Sequence, residues 1–334
     1  MLRLDMKDLL KQSLLGSRVL RLAARMRGAG AAVLMYHSVK DDPSTSDCLG
    51  GIAHSVAAFR EQMELLSQNF RPVRLDQVAG FVKGQTDLPS RAVAVTFDDG
   101  YADNYDLAGP MLKHLGIPAA FFVAVDCIAK GEAPWPARLR FTFRTTCVPG
   151  WQDANGASMS LKTDDERERA FRHACDLCGK LSGEAQREFI ATVASQLQVE
   201  HAQPSGAEMM TAGELRQLRD QGHIIGSHSM THPNLAHLGL VDLRYELEES
   251  KRALEAMLGE PVKHFAYPCP SSLPHWNETT AAACARAGYE ISLTTAKGLA
   301  KPGDKLQLLK RVRPGKTVEE LRWNLECAFA GRAV

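Results

Sequence analysis

Hydrophobic and polar positions along this chain alternate between short apolar runs and longer amphipathic runs. Short apolar runs predict strands of a parallel sheet, because such strands are buried on both faces. The runs that predict strands span Ala32 to Tyr36, Pro72 to Leu75, Val93 to Phe97, Ala119 to Val125, Ile224 to Ser227, His264 to Tyr267, Ile291 to Leu293 and Leu308 to Val312.

Amphipathic runs with the helical period lie between these strands. They predict helices over Val56 to Asn69, Leu107 to His114, Ala212 to Gln221, Leu240 to Leu258 and Asn277 to Ala287. Strands that alternate with helices are typical of a parallel α/β architecture. Periodicity alone leaves two forms of it open, a (β/α) barrel and an open doubly wound sheet.

The alternation breaks between Val125 and Met209. A Trp-Pro segment at Trp135 and a charged helical stretch from Thr163 to Val199 occupy this region. We therefore predict a mainly helical insertion over residues 127–210, after the fourth predicted strand. The remaining strands and helices predict one main domain over residues 31–325.

The first thirty residues form a separate basic, amphipathic segment. Seven basic residues and two acidic ones leave it with a charge of +5, and no apolar run is long enough for a signal peptide or a membrane span. Residues 1–28 either pack on the domain or lie on an anionic membrane surface. Because neither a signal peptide nor a membrane span is predicted, we expect a cytoplasmic protein or one bound to the inner face of the cytoplasmic membrane.

Composition excludes some classes of function. The 334 residues are 45% hydrophobic and 24% charged, with a formal net charge of +1. These values indicate a globular chain and argue against a nucleic-acid partner, since no basic field gathers polyanions. Eight scattered cysteines favour a reducing compartment. Cys175 and Cys178 are the only close pair, and no second pair completes a zinc site.

An acid pair follows the strand Val93 to Phe97. Asp98 and Asp99 stand at its carboxyl end, where α/β folds bind their ligands, and Gly100 comes next. Neighbouring strand residues point in opposite directions, so both acids reach one site only if the chain bends at Gly100. One acid would then act as a base and the other as a metal ligand. Alternatively, one of them only caps the following helix.

Two histidines follow another predicted strand end. His228 and His232 are four residues apart, a spacing that metal sites favour. Together with an upstream acid they would hold one ion and leave a position open for water, which is a catalytic arrangement. Alone, such a pair is more often surface or capping histidine.

Several segments together resemble the polysaccharide deacetylase family, also called carbohydrate esterase family 4 or NodB-type. The segments are Thr96 to Tyr101, Ser227 to His232 and Phe265 to Pro268, in the order that the family has. The stretch Leu34 to Val39 is typical of the branch that acts on bacterial exopolysaccharides. The resemblance implies a distorted (β/α) barrel of seven or eight strands.

The resemblance implies a role for each matching residue. It makes Asp99, His228 and His232 the ligands of one divalent metal, and Asp98 the general base. The backbone N–H of Cys269 would bind the oxyanion. Zinc suits this ligand set, although Ni²⁺, Co²⁺ or Fe²⁺ could also occupy it.

The chain departs from the family pattern at three places. Cys269 and Pro270 stand where Tyr-Gly is common, and Pro270 changes the turn. No His follows Leu308, where many members have the acid that protonates the leaving amine, and the resemblance to the exopolysaccharide branch, which uses the His of an N-terminal Tyr-His, implies His37 for that role. Ala266 replaces an Arg that holds the base in other branches, and Arg311 is the candidate substitute.

An N-acetylated carbohydrate is the substrate that the resemblance implies. Tyr101, Tyr267 and Pro268 belong to the matching motifs and are candidate substrate contacts. Trp135 and Trp151 either stack on sugar rings or anchor the insertion.

The expected activity is metal-dependent removal of N-acetyl groups from an amino-sugar polymer or its lipid-linked precursor. Alternatives are deformylation or deacetylation of a single lipid-linked amino sugar, and an inactive carbohydrate-binding protein with the same fold.

Overall fold

A computed structural model of the chain describes residues 30–42, 51–199, 204, 206–270 and 273–332. The predicted basic helix over residues 1–28, with its possible membrane contact, lies outside the described residues, and so does Cys48. Within the described ranges, every helix is too short or too polar to cross a membrane.

The described strands, in chain order, are β1 Ala32–Tyr36, β2 Ser38–Lys40, β3 Ala53–Ser55, β4 Arg71–Pro72, β5 Ala92–Phe97, β6 Ala119–Val123, β7 Gly150–Gln152, β8 Ser158–Ser160, β9 Ile224–Ser227, β10 His264–Ala266, β11 Ile291–Lys297 and β12 Leu309–Arg311. Seven of them form a parallel barrel in the order β1, β5, β6, β9, β10, β11 and β12. Every residue of β5, β6, β9 and β10 is buried, which explains their continuous apolar sequences.

The barrel closes between its first and last strands. The Met35 amide donates to the Val312 carbonyl at 3.2 Å, and the Val312 amide donates to the Val33 carbonyl at 2.8 Å. The strand pairing around the barrel is least extensive between β9 and β10, which share one residue pair, Phe265 with Ser227. The predicted distorted barrel is thus confirmed with seven strands, and the open sheet is excluded.

Helices surround the barrel and fill the insertion. They are α1 Val56–Asn69, α2 Leu75–Val82, α3 Gly109–Leu115, α4 Val125–Lys130, α5 Trp135–Thr145, α6 Asp164–Cys178, α7 Gly183–Gln196, α8 Ala212–Asp220, α9 Leu240–Arg244, α10 Ser250–Leu258, α11 Glu278–Arg286 and α12 Val318–Phe329. All five helices predicted from the pattern are present: α1 has the predicted ends, α3, α8 and α11 have shifted ends, and the predicted helix Leu240 to Leu258 comprises α9, a π-helical turn and α10. Helices α2 and α12 were not predicted.

The predicted strand Pro72 to Leu75 is wrong beyond Pro72. The Arg74 backbone amide donates to the Gln77 side chain at 2.9 Å, which caps a helix that begins at Leu75. Buried Leu75 and Val78 belong to one face of that helix rather than to a strand. The predicted strand from Ala119 likewise ends at Val123, because α4 begins two residues later.

Between β6 and β9 the chain forms the α5, α6 and α7 helices and the small β7–β8 hairpin. These elements have a hydrophobic cluster of their own, which includes Trp135, Phe143 and Trp151. The Trp151 ring packs edge-on against Phe143 at 5.2 Å. Cys175 and Cys178 are buried in the same cluster, where burial raises the pKa of both thiols.

Two helices contain π-helical turns. One spans Asn104–Ala108 directly before α3, and the other spans Tyr245–Glu249 between α9 and α10. In the first, the Gly109 amide donates to the Asn104 carbonyl, the five-residue bond of a π turn. Such turns are rare and frequently occur at functional sites.

Candidate active site

Asp99, His228 and His232 meet at the carboxyl ends of β5 and β9. Asp99 Oδ1 lies 3.5 Å from His228 Nε2 and 3.2 Å from His232 Nε2. One ligand atom from each residue lies within 4.8 Å of the other two, and all three side chains are buried. Two segments that are more than a hundred residues apart in sequence therefore form one compact group of metal-type ligands.

The backbone around these residues is unusually bent. Asp99 has φ 76° and Gly100 has φ 95°, so the expected bend at Gly100 begins one residue earlier. A Cβ at Gly100 would lie 3.0 Å from Val123. Ser229 and His232 also have positive φ values, of 68° and 61°. Non-glycine residues rarely adopt this region, and such strain concentrates at functional sites.

The imidazole of His228 is prepared for ligation. Its Nδ1 lies 2.8 Å from the Ala266 carbonyl oxygen. A carbonyl only accepts hydrogen bonds, so Nδ1 donates and Nε2 keeps its lone pair toward Asp99. Burial lowers the pKa of His228 to about 4, which keeps the ring neutral near pH 7.

The Asp99 carboxylate is a buried anion. Burial opposes its ionisation, but the hydrogen bond from His232 and the charge interactions with His232, His37 and His228 together lower its pKa. No Lys or Arg of the described residues lies within ion-pair distance of Asp99. Two imidazoles and one carboxylate around this site fit a divalent metal, which would compensate the buried charge.

Arg311 holds the second acid. Its Nη1 donates to Asp98 Oδ1 at 2.8 Å, and its Nη2 lies 2.8 Å from Oδ2. Nε donates to the Thr294 carbonyl at 2.8 Å. Burial opposes ionisation of Asp98, but the Arg311 charge and hydrogen bond, with help from His228, lower its pKa. Arg311, the predicted neighbour of Asp98, therefore contacts it directly.

His37 lies beside the same carboxylate, at the end of β1. Its Nε2 is 4.0 Å from Asp98 Oδ2, and its side chain is 20% exposed. Asn104, in the first π turn, donates to the His37 carbonyl at 2.7 Å. Asp103 accepts hydrogen bonds from Ser38 Oγ at 2.6 Å and from the Val39 amide at 3.1 Å. These contacts fix the backbone that carries His37.

Glu246 holds the loop between the two histidines. From the second π turn, its Oε2 accepts hydrogen bonds from the Met230 and Thr231 amides, both at 2.9 Å. Its Oε1 accepts from Thr231 Oγ1 at 2.5 Å. Sequence reasoning missed Glu246, Asp103 and Asn104. The signal for the last two was an Asp-Asn pair just after the acid motif.

A cavity of about 510 Å³ opens above these groups. Of the candidate residues, those that line it are His37, Asp98, Asp99, Tyr101, His228, His232, Tyr267 and Cys269. Pro268 is buried and is not among the lining residues. Sequence reasoning missed further lining residues, namely His54, Arg140, Phe171, Arg313 and Lys316.

Trp135 does not line the cavity. Its indole is 3% exposed, and its Nε1 donates to the His232 carbonyl at 2.8 Å. This geometry favours the interpretation of Trp135 as an anchor that joins the insertion to the histidine loop, rather than as a sugar platform. Trp151 is an anchor too, since its Nε1 donates to Gln196 at 2.7 Å.

Cys269 follows β10 and faces the cavity. Its Sγ lies 3.1 Å from Nδ1 of buried His275. Burial raises the pKa of the thiol, which leaves it protonated near pH 7 and therefore a poor nucleophile. The side chain thus gives no alternative to the acid and histidine groups as the centre of the chemistry.

Comparisons with known proteins agree with this arrangement. A model of the polysaccharide deacetylase family matches residues 85–140 and 182–292, which make up half of the chain. YxkH of Bacillus subtilis, assigned by name to the polysaccharide deacetylases, is 22% identical over 282 residues, 84% of this chain and 70% of that protein. The poly-β-1,6-N-acetyl-D-glucosamine N-deacetylase of Escherichia coli K12 is 31% identical over 93 residues, 28% of this chain and 13% of that protein.

Solved structures share the fold. The Streptococcus pyogenes deacetylase PplD superposes with a TM-score of 0.60 at 17% identity, covering 89% of this chain and 98% of that one. IcaB from Ammonifex degensii gives 0.56 at 19% identity, covering 90% and 97%. Because the family match extends over half of the sequence, the chain belongs to the polysaccharide deacetylase family.

Proposed function

We propose that this protein is a metal-dependent hydrolase that removes N-acetyl groups from an amino-sugar polymer or its lipid-linked precursor. The observation that carries the proposal is the single cavity in which Asp99, His228 and His232 face one another beside the Asp98–Arg311 pair. The family assignment and the named activity of the Escherichia coli relative support an N-acetylglucosamine polymer as substrate.

Asp99 and the two histidines hold the metal in this proposal. Zinc is the metal that best suits two imidazoles and one carboxylate, and nickel, cobalt or iron accept the same ligands. A divalent ion held by these residues would make a water nucleophilic near neutral pH and would polarise the acetyl carbonyl. The His228 ring already has its Nε2 lone pair directed at the site.

Asp98 takes the proton from the attacking water. Arg311 keeps this carboxylate ionised and oriented, so it is ready to accept a proton. His37, 4.0 Å from Asp98, then protonates the leaving amine. The Cys269 backbone N–H stabilises the oxyanion, and Tyr101 and Tyr267 form walls of the substrate site. Residues 31–325 make up the catalytic domain, with residues 127–210 inserted.

Acetate release tests the proposal. Purified protein loaded with Zn²⁺ is incubated with N-acetylated oligosaccharides of increasing length, and free acetate and free amine are measured. We expect release that stops on chelation and returns with metal. Asp98→Asn should bind metal and release almost no acetate, because the water loses its base.

Two outcomes argue against the proposal. Metal binding without acetate release from any N-acetylated glycan would favour a carbohydrate-binding protein. Activity that persists after complete removal of the metal would exclude the metal-dependent route.

A further inference from the structure

Three cationic side chains line the active-site cavity, namely Arg140, Arg313 and Lys316, whereas buried Arg311 is not among the lining residues. Arg140 is neutralised, since its Nη1 lies 2.5 Å from Glu168 Oε2. No carboxylate within the described ranges lies within 4.0 Å of the Arg313 or Lys316 side-chain nitrogens. The wall formed by the loop after β12 thus carries two positive charges without ion-pair partners in that part of the chain.

That loop has a fixed shape. Gly315 has φ 76°, and a Cβ there would lie 2.5 Å from the Glu320 side chain. The Gly315 carbonyl lies 2.6 Å from His54 Nε2 and accepts a second contact from Gln62 Nε2 at 3.3 Å. On the other side, the Arg313 carbonyl accepts from Asn324 at 3.0 Å. A loop held at both ends presents its cations in a preorganised position.

Glu320 offsets part of the Lys316 charge, since its charge acts on the ammonium and its Oε2 accepts from the Lys316 backbone amide at 2.5 Å. The carboxylates among the lining residues are Asp98 and Asp99, and neither pairs with Arg313 or Lys316. Asp98 is paired with Arg311, and Asp99 is assigned to a dication. With a dication at Asp99, His228 and His232 the cavity would carry a net positive charge even beside Glu320, and attraction for an anion is greater in a partly desolvated cavity than in water. A neutral glycan would gain no charge–charge attraction from these cations.

The loop lies on the His37 side of the cavity. Lys316 Nζ donates to the Ala53 carbonyl at 2.6 Å. The next residue, His54, packs its ring 5.0 Å from that of Tyr36, the neighbour of His37. If His37 protonates the leaving amine, the sugar ring that bears this amine lies toward the loop.

We propose that Arg313 and Lys316 bind a phosphate group carried by the N-acetylated sugar. The inference rests on the proposed function and narrows its substrate class from neutral glycans to sugar phosphates. Guanidinium binds phosphate with two parallel hydrogen bonds, and ammonium adds a point charge. Two unpaired cations match the charge of a phosphate better than that of a single carboxylate.

Matched substrates test this subsite. Acetate release is measured for methyl N-acetylglucosaminide, N-acetylglucosamine 1-phosphate and N-acetylglucosaminyl polyprenyl diphosphate in detergent micelles. We expect KM to be roughly 10- to 100-fold lower for the phosphorylated substrates, the worth of one or two charge-assisted contacts. This advantage should shrink as salt rises. A further advantage of the polyprenyl substrate over the 1-phosphate would identify a lipid-linked source.

The double variant Arg313→Gln/Lys316→Gln should remove the advantage of both phosphorylated substrates while turnover of the methyl glycoside stays near wild type. The matched control is Lys301→Gln/Lys310→Gln, which removes the same charge from exposed positions outside the cavity lining. The control should keep the advantage.

Equal KM values for all three substrates would overturn the phosphate subsite, and acetate release from them would still support the proposed function. If the control variant lost the KM advantage of the phosphorylated substrates equally, the phosphate subsite would also be overturned, because the effect would then come from the overall charge of the protein. No acetate from any substrate with the metal bound would instead refute the proposed function.

Discussion

Replacing Arg311 with Met should leave the buried Asp98 carboxylate without its charge partner and destabilise the whole barrel. The Arg311 and Asp98 side chains are 1% and 2% exposed, and their charged atoms meet at 2.8 Å. Removing one member of such a pair typically costs about 3–5 kcal/mol, because the remaining charge is left without compensation. We expect a loss of this size in the free energy of unfolding, measured by urea denaturation at pH 7.

A surface pair provides the matched control. Lys305 and Glu278 meet at a shorter distance, 2.6 Å, but their side chains are 66% and 77% exposed. Exposed pairs contribute about 0–1 kcal/mol, so Lys305→Met should change little. The comparison separates the effect of burial from the effect of distance.

A second variant tests the cause of the loss. Asp98→Asn/Arg311→Met leaves no unpaired charge, so it should recover about 2–3 kcal/mol relative to Arg311→Met alone. If Arg311→Met loses less than about 1 kcal/mol, or if the double variant is no more stable than the single one, the reasoning about the buried pair fails.

Three further predictions concern the proton donor, a loop contact and pH. His37→Ala should lower kcat for amide hydrolysis by roughly 10²- to 10⁴-fold. An activated ester, whose leaving group needs no proton, should lose far less. Glu246→Gln should weaken Zn²⁺ binding, measured by calorimetry, by roughly 10- to 100-fold, because a neutral amide oxygen accepts the Met230 and Thr231 N–H groups less strongly than a carboxylate oxygen and so holds the histidine loop less firmly. Buried His223 has its pKa lowered to about 4 by burial and by the Arg74 charge, so the unfolded state binds the extra proton between pH 6.5 and 4. Stability should therefore fall as the pH falls through this window, and His223→Gln, which can still accept from Ala119, should lessen the fall.

Each of these has a control and a contrary result. Near-normal amide hydrolysis by His37→Ala would redirect the search for the acid to the insertion. Exposed Glu248→Gln should leave Zn²⁺ affinity unchanged, and an equal loss there would remove the special role of Glu246. Exposed His114→Gln should leave the pH dependence as it is, and an unchanged slope in His223→Gln would exclude His223 as a source of it.

The sequence pattern was sufficient to predict a parallel α/β fold, and the family resemblance was needed to choose the barrel over the open sheet. The carboxyl ends of parallel strands meet at one face, so polar residues after β5 and β9 had to lie close together. Arg311 could be predicted as a neighbour of the acid pair because it ends β12 on that same face.

The supporting contacts could not be predicted in this way. Glu246 binds backbone amides that lie 15 and 16 positions earlier, and Asp103 binds one that lies 64 positions earlier. Backbone amides have no sequence signature. The helix that begins at Leu75 was missed for a related reason, since a short apolar run fits either period until its cap is known.

The two π turns give the helices around this site a particular sensitivity to length. A π turn accommodates one residue more than an α-helical turn, and each residue of an α-helix advances the rotation by about 100°. Deleting one residue from Tyr245–Glu249 would let the helix run regularly, but it would rotate Glu246 away from the histidine loop or shift the face that α10 packs on the barrel. Deleting one residue from Asn104–Ala108 would likewise rotate Asn104 away from its partner or shift the face of α3 that packs on the barrel. At both places the spacing along the chain is a functional property of its own, and single-residue deletions should be tolerated less well than most substitutions.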